Sequence, residues 1–221
     1  MVPGGVLLSG GIMAQEPKVK YAMAFFDGQN LFQHAMKAFG HFHPNYDPKK
    51  LHEVVCKANG WVPNLVRFYT GVPIATEDQM WASYWSNRIL AMKRSGIHTT
   101  TRPLRYRKET VEVSGVETTV TTPQEKGIDV RLALDVVACG RRHEFDVAVI
   151  FSQDQDLCEV VDEIRQISIQ TDRWLKVACA FPSGPKASSM RGIDKTQWIE
   201  IDEATYNGCL DPKDYRPQPH H

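Results

Sequence analysis

Two apolar runs that each end in aspartates constrain this chain more than any other feature. Tyr21-Ala22-Met23-Ala24-Phe25-Phe26 leads into Asp27-Gly28-Gln29-Asn30, and Val147-Ala148-Val149-Ile150-Phe151 leads into Ser152-Gln153-Asp154-Gln155-Asp156. Continuous apolar runs of this length, bounded by polar residues and glycine, read as strands buried on both faces of a parallel sheet. Open α/β sheets place their ligand crevice beyond the carboxyl ends of such strands. If the two strands are central and adjacent, Asp27, Asp154 and Asp156 converge. Two unit charges about 4 Å apart repel by roughly 4 kcal/mol at an effective dielectric near 20. Such a cluster stays ionised only with a cation to hold it, so the pattern points to a metal site.

The rest of the chain supplies the elements such a sheet needs. Leu31 to Phe39 has helical spacing and stops at Gly40. Asp47-Pro48 opens a second helix that runs to about Asn59-Gly60, with an acid at the N-cap, proline at N1 and glycine at the end. Leu65 to Tyr69 reads as a strand, and Thr76 as the cap of a helix through Arg94 whose apolar side carries Trp81, Tyr84, Trp85 and Ile89. Ile97 to Thr122, rich in threonine and valine, reads as a strand and then a hairpin, Lys108 to Val113 against Val116 to Thr121, turning at Ser114-Gly115. Thr122-Pro123-Gln124-Glu125 fits a capping box. Gly127 inside a helix costs about 1 kcal/mol, however, which favours a start near Ile128. A strand from Val147 to Phe151, a helix from Leu157 to about Ile167, a strand from Leu175 to Phe181 and a short edge strand from Trp198 to Ile201 complete an α/β unit with right-handed crossovers.

A fourth acid comes from Glu125-Lys126-Gly127-Ile128-Asp129-Val130, where Asp129 falls in the first turns of a helix beside a glycine that permits close approach. Asp135 lies about 120° away around that helix and is the weaker candidate. Each element also has an ordinary explanation. Asp156 with Glu159 makes a good N-cap and N3 pair, Asn30 could cap the helix from Leu31, and Ser152 could bond a turn amide. A lone Asp129 or Asp135 is most often a solvated helix acid. What favours function is that Asp27, Asp154 and Asp156 all fall at the ends of expected strands.

Phe25-Phe26-Asp27-Gly28-Gln29-Asn30, Lys126-Gly127-Ile128-Asp129-Val130 and Ile150-Phe151-Ser152-Gln153-Asp154-Gln155-Asp156-Leu157 resemble the three signature blocks of NYN domains, in the PIN-like nuclease superfamily. The resemblance spans about Tyr21 to Phe181 with order and spacing intact. It implies a Rossmann-like PIN fold, a mainly parallel central sheet flanked by helices, and metal-dependent cleavage of RNA. Carried over block by block, it makes Asp27, Asp129, Asp154 and Asp156 the catalytic and metal-binding acids, with Asn30 and Ser152 as supporting polar groups. The third block departs from the commoner Ser-Gly-Asp-x-Asp-Phe form at Gln153 and Leu157, which predicts altered packing rather than a lost acid. The hairpin looks like an elaboration of the fold.

An all-oxygen acid set suits Mg²⁺ or Mn²⁺ better than Zn²⁺. RNA then needs positive charge near the acids. Arg102-Pro103-Leu104-Arg105-Tyr106-Arg107-Lys108 is the densest basic run, and strand alternation puts Arg105 and Arg107 on one side. A solvated edge blunted by charge is the competing reading. Lys126 and Arg131 flank Asp129 and could reach phosphate, and Arg67 lies near a strand end. With 26 basic and 26 acidic residues, the balance neither suggests a polybasic wrapper nor excludes a local groove.

The five cysteines are scattered and odd in number, which argues against a disulfide framework and a zinc cluster and suits the cytoplasm. His34, His41, His43 and His52 match no standard ligand spacing. No apolar run is long enough for a membrane span. Absence of GxSxG, GxGxxG and P-loop motifs removes simple hydrolase, dinucleotide and NTPase readings. The expected organisation is a flexible segment over residues 1–18, one nuclease-like domain over 19–203 and a loosely ordered tail over 204–221. A catalytically silent module binding RNA or protein is the second reading. A phosphotransferase of the haloacid dehalogenase type ranks last, because Gln29 stands where its second aspartate belongs. A homodimer and a regulatory protein partner both stay open.

Overall fold

The computed structural model describes residues 14–113 and 116–217. Most of the expected N-terminal lead-in, the Ser114-Gly115 turn and the terminal His220-His221 lie outside the described residues. In chain order the elements are β1 (Tyr21–Asp27), α1 (Gly28–Phe39), α2 (Pro48–Asn59), β2 (Val62–Val72), α3 (Gln79–Arg94), β3 (His98–Pro103) and the hairpin β4 (Arg105–Val113) and β5 (Val116–Gln124). They continue through α4 (Ile128–Arg141), β6 (Val147–Phe151), a 3₁₀ turn (Gln155–Leu157), α5 (Cys158–Thr171), β7 (Lys176–Pro182), β8 (Gln197–Ile201) and α6 (Glu203–Gly208).

Six strands form one wholly parallel sheet in the order β3-β2-β1-β6-β7-β8, and β4-β5 stand apart as a two-stranded antiparallel ribbon. The chain winds outward from β1 through β2 to β3, then returns to the other side of β1 at β6. The strand order therefore reverses between β1 and β6, the position where open α/β sheets bind ligands. Phe26 pairs with Phe151 at that junction, so Asp27 and Ser152 leave the sheet side by side.

Strand alternation divides the core. Ala22, Ala24, Phe26, Val149 and Phe151 pack with Leu31, Ala35, Leu51, Tyr84, Trp85 and Tyr206 on the face covered by α1, α2, α3 and α6. Met23, Phe25, Ala148 and Ile150 pack with Leu132, Val136, Ile164 and Ile167 from α4 and α5 on the other. Burial on both faces explains why β1 and β6 lack polar alternation.

Local signals misplace several boundaries. α1 begins at Gly28, not Leu31, because Asp27 rather than Asn30 caps it. α3 begins at Gln79 rather than after Thr76, with the Asp78 side chain accepting from Trp81 N at 3.0 Å. The capping box at Thr122 does not form, since pairing of Arg105 with Gln124 keeps these residues in β5. α4 instead starts after Gly127, whose φ of 73° is left-handed. The described part of the C-terminal stretch is packed rather than loose. Asp202 caps α6, Tyr206 is fully buried, and the buried Tyr215 donates to Asp211 Oδ2 at 2.8 Å. Its three prolines masked the two tyrosines that anchor it.

Candidate active site

Asp27 ends β1 and caps α1, and both of its oxygens are engaged. Oδ1 accepts from Asn30 N at 3.0 Å and Oδ2 from Ser152 Oγ at 3.3 Å. The helix can turn so abruptly because Gly28 has no side chain: a Cβ there would sit 2.6 Å from the Phe68 ring. Asn30 Oδ1 accepts from Gln153 N at 2.8 Å, tying α1 to the loop after β6. Ser152 also accepts from Asp154 N at 3.2 Å, and Asp154 Oδ1 from Asp156 N at 3.0 Å. One residue back along β1 and β6, the core rings of Phe26 and Phe151 stack 3.9 Å apart.

A cavity of about 340 Å³ opens at this network, lined by Asp27, Asn30, Glu125, Lys126, Asp129 and Asp154 among others. Three of the four expected acids therefore share one wall, from the ends of β1 and β6 and the first turn of α4. Asp156 does not join them. The 3₁₀ turn at Gln155–Leu157 leaves it exposed and off the cavity wall, and the cap role foreseen for it falls to Asp154.

Glu125 also lines the cavity, unforeseen because its position read as a capping-box glutamate. It accepts from Gly71 N and is held half-buried between the hairpin and α4. Its place next to Lys126 in a signature block was the signal available.

Electrostatics mark the same residues. Burial, with smaller contributions from Asp154 and Asp129, pushes the Asp27 carboxyl up to about 6. Burial, with Asp27 and Asp129 nearby, pushes Glu125 up to about 7. Among the described residues no three His, Cys, Asp or Glu side chains stand close enough to hold a metal ion, so the acids line an open cleft rather than a formed cage.

The expected RNA contacts divide. Lys126 is exposed on the cavity wall, and Arg105 and Arg107 are both exposed on β4. Arg131 is half-exposed but paired with Asp135 at 2.5 Å. Asp135 is no solvated helix acid: it is buried and also accepts from Tyr69 OH at 2.9 Å and Arg67 Nη1 at 3.4 Å. That network removes Arg67 from the cleft. Arg102, not singled out before, rests against Gly127, where a Cβ would lie 2.7 Å from its Nη1.

These features define a Rossmann-like α/β domain with an acidic cleft at its topological switch point. More particularly, the chain belongs to the NYN domain family, of the PIN-like nuclease superfamily, whose model matches residues 21–182. The family points to a nuclease-like, RNA-related role. A solved protein of unknown function from Vibrio parahaemolyticus shares the fold, with a TM-score of 0.54 and 18% identity over 86% of this chain and 97% of that one. Acinetobacter baumannii MurG aligns over 82% of this chain and 45% of its own at 8% identity, with a TM-score of 0.31 too low to bear on the fold. No curated protein matches the sequence. Among the described residues, no helix is long and apolar enough to cross a membrane.

Proposed function

We propose that this chain is a metal-dependent ribonuclease that hydrolyses RNA phosphodiester bonds in the cleft beyond β1 and β6. One observation carries the reading: Asp27, Asp129, Asp154 and Glu125, from three distant segments, line one cavity in a member of a nuclease-like family. The donor set fits the group that PIN-like nucleases typically use. Its donors are all oxygens, which suit Mg²⁺ or Mn²⁺. Burial raises the Asp27 and Glu125 carboxyls, and the neighbouring acids add to it, so a cation bound there would favour their ionised forms. Drawn together from their open spacing, Asp27, Asp129 and Asp154 would hold the ion, with Glu125 beside them; Asp156, off the cavity wall, would not. Bound there, it would supply an activated water and neutralise charge on the scissile phosphate.

The chain's own residues do the positioning. Asn30 N–H and the Ser152 hydroxyl fix the two oxygens of Asp27, and the Asn30 side chain fixes the loop that carries Asp154. Asp27 is buried, so its carboxylate acts at a lower effective dielectric than in bulk water. Lys126, Arg105 and Arg107 supply phosphate contacts, and Arg131, bound to Asp135, contributes only through its exposed half.

The test is cleavage of structured and single-stranded RNAs with Mn²⁺, Mg²⁺ or EDTA, comparing wild type with Asp154→Asn. Metal-dependent cutting that disappears in the variant is expected, with 5′-phosphate and 3′-hydroxyl products. Equal cutting by both proteins would refute the assignment. The open spacing of the acids favours, as second reading, a module that binds RNA without turnover. Binding without cutting by wild type under every metal condition would select it.

A further inference from the structure

Gln153 is where the third signature block departs from its commoner glycine, and its side chain is not idle. Residue 153 lies between Ser152, bonded to Asp27, and Asp154 on the cavity wall. Only 8% exposed, its amide Nε2 donates to Ser189 O at 3.2 Å and Arg191 O at 2.9 Å. Two carbonyl acceptors fix which end of the amide faces them. Its Oε1 is left buried without a partner, an arrangement that costs stability rather than adding it.

Gln155 repeats the connection two residues on. Its Nε2 donates to Gly192 O at 2.8 Å and its Oε1 accepts from Asp194 N at 3.3 Å. The two glutamines thus lash the segment between β7 and β8 to the turn that carries Asp154. That segment, Ser183-Gly184-Pro185-Lys186-Ala187-Ser188-Ser189-Met190-Arg191, is small, polar and basic, with Lys186, Ser188 and Arg191 exposed. Arg191 is itself held by Asp194, through bonds of 3.1 and 2.5 Å.

Sheet order gives the segment its meaning. Arg102 lies near the carboxyl end of β3 and the basic hairpin base follows it, on one side of the acids; residues 183–194 follow β7, on the other. Four strand spacings separate β3 from β7, roughly 19 Å. We propose that residues 183–194 form the second bank of a nucleic-acid channel, and that Gln153 is the positioning residue that latches this bank to the acid turn. A single RNA strand then lies across the sheet's carboxyl edge, from the hairpin base over the acids to Lys186. This rests on the ribonuclease reading for the cutting step but not for binding.

The experiment measures binding of a fluorescent single-stranded RNA in EDTA, and kcat and KM with Mn²⁺, for wild type, Lys186→Glu, Gln153→Ala, Gln153→Glu and Asp154→Asn. Lys186→Glu should weaken binding about fivefold at low salt and reduce the log–log salt slope by about 0.7. Gln153→Ala and Gln153→Glu should raise KM by a similar factor with kcat within about twofold, the glutamate because it keeps the size but repels both carbonyls. Asp154→Asn should keep its affinity while losing kcat. Unchanged affinity and salt slope in Lys186→Glu, with wild type cutting normally, would overturn the channel alone. Equal falls in stability and kcat with unchanged KM in both Gln153 variants would overturn the latch. Binding that Lys186→Glu weakens, without cutting by wild type, would uphold the channel and reject the ribonuclease reading.

Discussion

Replacing Asp27 by asparagine should make the protein more stable while abolishing its activity. Asp27 is 5% exposed, and its carboxyl is raised from 3.8 to about 6. Each pKa unit is worth 1.36 kcal/mol, so keeping this group ionised in the fold costs about 3 kcal/mol at pH 8. A carboxyl with a raised folded pKa contributes stability below about pH 4 and loses it as pH climbs through about 6. Asparagine removes the charge and little else. It caps helices as well as aspartate, its Oδ1 can still accept from Asn30 N, and the Ser152 hydroxyl can rotate to accept from its amide. At pH 8 the variant should therefore melt about 6–12 °C higher, and the two melting curves should converge near pH 4. A divalent ion at 100 times its Kd should return about 2.7 kcal/mol to wild type and far less to the variant. Thermal unfolding from pH 4 to pH 8, with and without Mn²⁺, tests all three points. A variant equal to or less stable than wild type at pH 8 would refute the reasoning, because the buried charge would then have a counterpart the structure does not show.

Other positions separate structural from functional roles. Asp135→Asn should cost about 3 kcal/mol in urea unfolding, because it weakens a buried acid's bonds to Arg67, Tyr69 and Arg131; cleavage per folded molecule should survive, whereas Asp129→Asn should lose it. Arg88 is 1% exposed among Tyr46, Phe68, Tyr84 and Trp85 and donates to Tyr46 O at 2.7 Å. Arg88→Lys should therefore destabilise by about 2 kcal/mol in the same assay, since an ammonium cannot reproduce both the planar stacking and the forked donation. His52, buried and bonded to Ala22 O at 3.0 Å, is pushed down to about 4 by burial. It must stay neutral in the fold, so about 3 kcal/mol is lost as pH falls from 6.5 towards 4; His52→Gln should lack that loss when the two proteins are unfolded in urea across this range. Arg105→Glu with Arg107→Glu should weaken RNA binding more at low salt than at high, and an unchanged salt slope by fluorescence anisotropy would exclude β4 from the interface.

What the sequence made legible and what it hid follow from the range of each interaction. The parallel sheet was readable because Ala22–Asp27 and Val147–Phe151 are buried, a demand written in every residue of the two runs. The meeting of Asp27 and Asp154 was readable because strand ends are local features, whereas Asp129 was joined to them only by the resemblance of its block, since on its own it read as a solvated helix acid. The exposure of Asp156 could not be read, since it depends on whether the chain after Asp154 coils into a 3₁₀ turn or goes straight into α5. Glu125 and Asp135 were misjudged for the opposite reason: their partners, Gly71 in one case and Arg67 and Tyr69 in the other, lie more than fifty residues away in sequence. Asp27 shows why the ordinary and the functional readings need not compete. The same carboxylate caps α1 and faces the cleft, and capping fixes it where β1 ends. Without that cap the acid would be a mobile side chain at a strand end; with it, the fold holds a charge in an apolar setting that raises its energy. The local bond to Asn30 lets the protein keep a group there that burial alone would neutralise.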